Sequence, residues 1–200
     1  MYFFTHLAIS KVLYQHFADE MVLDKRAFAF GNIKPDLPSS QRKHHTLENC
    51  IFDVYKYFNQ LMDEEVSVVD FSVSLGEICH YVCDFFCYYH LDEKHYNKKL
   101  NHFLYELRLH FKLFQIQCKQ KYQISAGKME PRKDISSIIL EMRKAYFSEP
   151  KSIKRDIDYA FLTAAWTCES IIYYLKYSPD LTKEAEPDFY PLLTAEGGSI

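Results

Sequence analysis

The sequence predicts an all-helical protein, a single bundle of several helices, and three observations support this class. Five glycines and seven prolines in 200 residues are too few for the turns of a β-sandwich or barrel. Residues 77–126 and 151–178 contain neither glycine nor proline, which is typical of long helices. Apolar residues recur at helical spacing in both stretches. We therefore expect one helical metal-binding domain over residues 1–178 and an irregular tail over 179–200.

Caps, prolines and apolar spacing predict the elements in chain order. Thr5 is the expected N-cap of the first helix, and Pro35 and Pro38 should keep the following loop extended. Ser67 to Asp70 resembles a capping box, and Pro150 should open the last helix. The predicted elements are a helix at 5–19, a loop at 31–40, helices at 45–62, 71–89 and 98–122, a linker at 125–131, and helices at 134–147 and 150–177.

Two of these helices should contribute most of the core. The third is apolar on nearly every face, which predicts a central helix surrounded by the others. The fourth carries a repeating apolar set that we expect to be buried: Leu100, Phe103, Leu104, Leu107, Phe111 and Phe114.

Charge and composition restrict the partners and the compartment. The 24 basic and 27 acidic residues give a net charge of -3, which disfavours a nucleic-acid partner and gives no general attraction to an anionic membrane. No apolar run is long enough to span a bilayer, although contact with a membrane surface stays open. The amino terminus lacks the positive region of a secretory signal, and the cysteines are expected to be reduced, so we predict a cytoplasmic protein. The oligomeric state is not determined by the sequence.

Two histidine–carboxylate pairs indicate a metal site. His80 and Asp84 are four residues apart on the central helix, and His102 and Glu106 repeat this spacing on the next one. A carboxylate buried among apolar side chains costs several kcal/mol unless a cation compensates it. One such pair alone is usually an ordinary side-chain contact. Together with the further candidates, however, the pairs suit two or three zinc ions; these candidates are His6, Asp36, His44, His45 and His90. His16, His95 and His110 are expected to be solvated or to support ligands.

These residues, in this order over about the first 110 positions, resemble the zinc-dependent phospholipase C superfamily, which also includes secreted single-strand-specific nucleases. The resemblance implies an all-helical domain with three zinc ions. It assigns one ion to Asp36, His80, Asp84 and one of His44 and His45, with His45 preferred because it would point inward. It assigns a second ion to His90, His102 and Glu106. A third would be shared by Asp84, His6 and the amino group of residue 1, here Met1, so the expected occupancy is two or three zinc ions.

The resulting hypothesis is a zinc-dependent phosphodiester hydrolase of the phospholipase C type, acting on a phospholipid or a small phosphodiester. A metal-bridged hydroxide would attack phosphorus in line. Asp84 and Asp36 are the candidate catalytic residues, with Asp36 as the general base that orients the water. A single-strand nuclease is one alternative, disfavoured because the basic patches are small. A non-catalytic helical metal-binding protein is the other alternative.

Overall fold

The structure is a computed structural model that describes residues 1–38, 43–62, 66–119, 124 and 129–177. Within these ranges the chain forms helices and no strand, which confirms the all-helical class. The predicted tail and most of the predicted linker lie outside the described residues. The helices are α1 (Phe3–Phe17), α2 (Lys25–Gly31), α3 (Leu47–Leu61), α4 (Val68–Asp84), α5 (Glu93–Tyr96), α6 (Lys99–Lys119), α7 (Ile135–Ser148) and α8 (Ile153–Tyr177), with 3-10 turns at Lys34–Asp36 and Tyr88–His90.

The central helix is α4, as predicted. It packs against α1, α2, α3 and α8 and is buried along almost its whole length. Its N-cap is Ser67, whose Oγ accepts a hydrogen bond from the Asp70 amide at 3.1 Å, so the predicted cap is confirmed. The prediction that this helix reaches Tyr89 was wrong, because it ends at Asp84. The Tyr88 amide instead donates to the Asp156 carboxylate at 2.7 Å, which draws the chain out of the helical path.

Two helix starts differ from the prediction because other groups close the first turn. Helix α1 begins at Phe3, and the Thr5 amide donates to the Tyr2 carbonyl at 2.7 Å, so Thr5 lies inside the helix and does not cap it. Helix α8 begins at Ile153 and not at Pro150. The hydroxyl of Ser152 accepts from the Arg155 amide at 3.0 Å and acts as the cap.

The segment that leads to the candidate ligand Asp36 is more helical than predicted. Helix α2 was missed; Asp24 caps it by accepting from the Ala27 amide at 2.7 Å. The following loop is not extended, since Lys34–Asp36 form a 3-10 turn. Pro35 is tolerated there because an early position in a helical turn requires no backbone N–H.

The predicted core face of α6 is wrong. Leu109 and Leu113 are its fully buried residues, whereas Leu100, Phe103, Leu104, Phe111 and Phe114 are exposed and Leu107 is half-buried. The buried and exposed sets lie on opposite sides of the helix, because 109 and 100 differ by nine positions at about 100° per residue. Apolar spacing alone cannot tell which of two apolar stripes faces the core.

Candidate metal centre

Asp84, the last residue of α4, is the centre of the site and is fully buried. Its Oδ2 lies 3.0 Å from His45 Nδ1 and 3.4 Å from His80 Nε2, and its Oδ1 lies 3.2 Å from His6 Nε2. The amino group of Met1 contacts the same Oδ1. A buried carboxylate is thus surrounded by imidazoles from α1, α4 and the segment before α3.

Asp36 lies at the solvent side of this group. Its Oδ1 is 3.7 Å from His45 Nδ1 and 3.8 Å from His80 Nε2, and the two imidazole nitrogens are 3.0 Å apart. The 3-10 turn after α2 places this carboxylate opposite α4. Asp36, His45 and His80 together could hold one metal ion, and His6, His80 and Asp84 form an overlapping group of the same kind.

A second set of donors comes from the turn after α4 and the first part of α6. Glu106 Oε1 is 2.8 Å from both His90 Nε2 and His102 Nε2, and these two nitrogens are 2.9 Å apart. The Met1 amino group lies 3.2 Å from His90 Nε2 and 3.3 Å from Glu106 Oε1, so it connects this set to Asp84.

Backbone carbonyls orient three of the imidazoles. The Nδ1 atom of His80 is 2.9 Å from the Asn32 carbonyl, that of His90 is 3.2 Å from the His45 carbonyl, and that of His102 is 3.2 Å from the Tyr96 carbonyl. A carbonyl only accepts, so these contacts favour the tautomer with the proton on Nδ1, in which each Nε2 presents a lone pair to the centre. This is the tautomer of a histidine that binds metal through Nε2.

These tautomers make the donor set fit a cation. His90 Nε2 and His102 Nε2 approach to 2.9 Å with lone pairs on both sides, a contact that repels unless a positive charge lies between them. His6 is fully buried and stacks on His80 with ring centroids 4.0 Å apart. Among the described residues neither of its ring nitrogens makes a hydrogen bond of good geometry, and Nε2 has only the 3.2 Å contact with Asp84. Nitrogen and oxygen donors of this kind are the ligands that zinc prefers.

The titration of these groups favours the protonation states that metal ligands require. Burial, followed by the neighbouring His6, holds the pKa of His80 well below its usual value. Burial acts to raise the pKa of Asp84, but the neighbouring His90 and the amino terminus outweigh it and lower the pKa well below the usual value. The pKa of Glu106 is lowered in the same way, against burial, by the amino terminus and by the neighbouring His102 and His90 side chains. His80 is therefore neutral and both carboxylates are ionised at neutral pH.

The structure brings together all the predicted ligands except His44. The His44 ring stacks on Tyr96 with centroids 4.3 Å apart, and its Nδ1 is 3.8 Å from a Glu93 oxygen. The neighbouring His45 instead contacts Asp84. The chain turns at His45, since the Thr46 amide donates to the His44 carbonyl at 2.8 Å, so the two rings diverge. His44 is therefore outside the cluster, on the rim.

The sequence missed one residue near the second donor set. Cys87 Sγ groups with His90 Nε2 and Glu106 Oε1, with all three atoms within 4.8 Å of one another. Cys87 lies three residues before His90, and this spacing was the sequence signal that could have marked it as a possible ligand. Burial raises the pKa of this thiol well above its usual value, so it stays a neutral thiol and a weak ligand. His16, His95 and His110 lie apart, paired with Glu169, Asp92 and Thr5.

A cavity of about 170 Å³ opens on the second donor set and forms a mouth to the cluster. His102 and Glu106 form its inner wall and Lys99 places a cation at its edge. The other residues that line this mouth are His44, Tyr96, Asn97 and Phe103.

Comparison with protein families matches residues 5–153 to the model described as zinc dependent phospholipase C. The chain belongs to the zinc-dependent phospholipase C family. No curated protein and no solved structure matched the chain significantly. The family match extends beyond Glu106 into α8 and includes every predicted ligand except Met1. In the part of this family member that the structure describes, no helix is long and apolar enough to cross a membrane.

Proposed function

We propose that the chain is a zinc-dependent phosphodiester hydrolase of the phospholipase C type, whose substrate is a phospholipid or a small phosphodiester. The observation that carries this proposal is the convergence of carbonyl-oriented Nε2 atoms and two ionised carboxylates on one buried point behind an open mouth. Such a cluster of acceptors has no evident structural use without a cation, because the same volume filled with apolar side chains would be more stable.

The proposed ligand sets follow the distances. Asp36, His45, His80 and Asp84 would hold one zinc ion, and His90, His102 and Glu106 a second. His6, Asp84 and the Met1 amino group would hold a third. Burial acts to lower the pKa of that amino group, but Asp84 and Glu106 outweigh it and raise the pKa well above its usual value. A third ion would therefore have to displace a proton from this amine, which favours two ions over three at acidic pH.

Zinc bound here would supply Lewis acidity to phosphate oxygens and a water acidified to near neutral pH. The remaining roles fall to side chains of the chain. Asp36 is partly exposed and lies farther from the imidazoles than Asp84 does, so it is the carboxylate that an attacking water reaches and that accepts its proton. Asp84 is fully buried and fixes the positions of the surrounding imidazoles. Lys99 at the mouth attracts the phosphate group.

Metal analysis and one variant test this proposal. Elemental analysis of the purified protein should give two or three zinc ions per chain. Turnover of a soluble chromogenic phosphocholine ester should stop with a chelator and return with added zinc. Asp84→Asn keeps the size of the side chain and removes its charge, so we expect turnover to fall by about 100-fold or more. His16→Gln, outside the cluster, is the matched control and should keep its activity. A zinc-free protein, or full turnover in Asp84→Asn, would contradict the proposal.

A single-strand nuclease is the second candidate, and one surface feature favours it. A separate pocket of about 470 Å³ has Lys34, Lys43 and Lys56 on its walls together with the rings of Tyr57 and Tyr81. Cations and aromatic rings in one groove are the features that bind single strands. Two of these lysines are already paired, Lys34 with Glu77 at 3.0 Å and Lys43 with Asp53 at 3.2 Å, so we rank this candidate second.

An assay with single-stranded DNA in place of the ester distinguishes the two hydrolases. Absence of bound metal would instead support a non-catalytic helical protein. A cytoplasmic location, also part of the proposal, is consistent with six free cysteines.

A further inference from the structure

Helix α6 presents an apolar stripe to solvent along its length. Leu100, Leu104, Phe111 and Phe114 are 71%, 41%, 56% and 58% exposed, and their spacing places them on one side of the helix. The side of the same helix that faces the core carries other residues, Leu109 and Leu113, which are fully buried. An apolar side chain exposed singly is ordinary, whereas a continuous row of them marks a surface that meets another apolar phase.

The stripe is continuous with the mouth of the metal centre. Phe103, 49% exposed, lines that mouth beside His102 and Glu106. Its ring contacts Tyr2 with centroids 6.3 Å apart, and Tyr2 in turn contacts Phe4, which is 53% exposed. The apolar surface therefore runs from the start of α1 past the mouth and along α6.

Basic residues border the stripe. Arg108 and Lys112 are exposed one turn apart along one edge, and Lys99 stands at the mouth. Glu106 is the only acidic residue between Lys99 and Lys119, and its carboxylate turns inward to His90 and His102. An exposed apolar stripe with cations on its flank is the pattern of a helix that lies in the interface of an anionic bilayer.

We propose that this stripe docks the protein on an anionic phospholipid surface, with the mouth facing the headgroups. The inference rests on the proposed function for the identity of the substrate. A protein partner seated on the same surface would cover the mouth, whereas a bilayer both shields the phenylalanines and presents a phosphate at Lys99. The net charge of -3 gives the protein no general attraction to an anionic membrane, so the attraction has to come from this local surface.

The test compares two double variants of exposed phenylalanines. Phe111→Ser with Phe114→Ser removes the end of the stripe that lies farthest from the mouth. Phe52→Ser with Phe147→Ser, from residues 58% and 53% exposed on α3 and α7, is the matched control. Binding is measured by co-sedimentation of the zinc-bound protein with vesicles of equimolar phosphatidylcholine and phosphatidylglycerol, over times too short for appreciable hydrolysis of the lipid. Melting curves establish that both variants fold.

We expect the stripe variant to bind vesicles at least about tenfold more weakly than the wild type, because burial of each phenylalanine contributes on the order of a tenfold change in affinity. The control variant should bind as the wild type does. Both should hydrolyse the soluble ester equally, while the stripe variant loses turnover of vesicle lipid. Equal binding of the stripe variant, or no binding by the wild type, overturns the proposal. A wild-type dimer that the stripe variant converts to a monomer also overturns it, in favour of a second copy as the occupant. If the wild type binds vesicles through the stripe but does not hydrolyse the soluble ester, the docking proposal holds and only the proposed hydrolase activity is refuted.

Discussion

The orientation of individual histidine rings is decided by backbone carbonyls that lie far from them in sequence. His80 depends on Asn32 and His90 depends on His45, so each ring is fixed by a neighbouring element and not by its own helix. Adjacent residues can therefore differ completely in role, as His44 and His45 do. A substitution at Asn32 or His45 can therefore disturb the site by moving the carbonyl that orients a histidine ring, in addition to changing the side chain itself.

A histidine outside the site gives a pH-dependent prediction at the same scale. His16 Nε2 of α1 lies 2.5 Å from the Glu169 carboxylate of α8, and this hydrogen bond raises the pKa of His16 despite partial burial. A raised folded-state pKa means that the pair stabilises the protein below the ordinary histidine pKa and loses this effect as pH rises through the folded value.

Glu169→Gln should therefore lower the free energy of unfolding by about 0.5–1 kcal/mol near pH 6 and by much less near pH 9. Urea unfolding at both pH values measures the difference, and a double-mutant cycle with His16→Gln isolates the pair. A loss that is equal at the two pH values would show that the ion pair is not its cause.

At the scale of elements, the contact between α2 and α4 positions one side of the metal centre. Gly31 and Gly76 let the two backbones approach closely, and a Cβ on Gly76 would lie 2.4 Å from the Phe28 carbonyl oxygen. Helix α2 leads directly to Asn32, whose carbonyl orients His80, and to Asp36. The separation of the two helices therefore sets the position of two groups in the site.

Gly76→Ala should force α2 away from α4, because the clash is with backbone and cannot be relieved by a rotamer change. We expect a loss of about 1–3 kcal/mol in unfolding free energy, together with weaker zinc binding, measured by urea unfolding and by competition with a zinc-binding dye. Ser74→Ala, on the same helix, is the control. Unchanged zinc affinity in a folded Gly76→Ala protein would mean that α2 does not position the site.

For the whole molecule, zinc should act as a clamp between distant parts of the chain. The donors come from α1, from the 3-10 turn after α2, from the segment before α3, from α4, from the 3-10 turn after α4 and from α6. A ligand that binds only the folded state stabilises it by an amount set by its concentration relative to Kd, about 2.7 kcal/mol at a hundredfold excess.

Chelation should accordingly lower Tm by about 5–10 °C, given the usual sensitivity of Tm for a chain of this size. Thermal unfolding with and without chelator measures this shift, and readdition of zinc should reverse it. His45→Gln should reduce the shift because one ligand is lost, while Glu169→Gln should leave it unchanged. Identical melting curves with and without chelator would contradict a metal that links these elements.

The sequence predicted the central helix more accurately than the peripheral helices. The central position and the start of α4 were predicted, though not its end, because the helix is apolar on nearly all sides and Ser67 marks its start locally. Helix α6 was assigned the wrong core face because its larger apolar stripe faces solvent and the smaller one, with Leu109 and Leu113, faces the core. Helix α2 was missed since its seven residues are too few for a clear periodic pattern.

By itself the sequence determined the all-helical class and indicated the ligand types of the candidate site, because composition, helical spacing and the cost of burying a carboxylate are properties of short segments. Tertiary structure decided which ligands meet, which of His44 and His45 turns inward, and that α6 exposes the stripe Leu100, Leu104, Phe111 and Phe114. The physical reason is that these outcomes depend on distances between elements. A periodic pattern gives the angle of a side chain about its own helix, but not which neighbour, carbonyl or solvent lies in that direction.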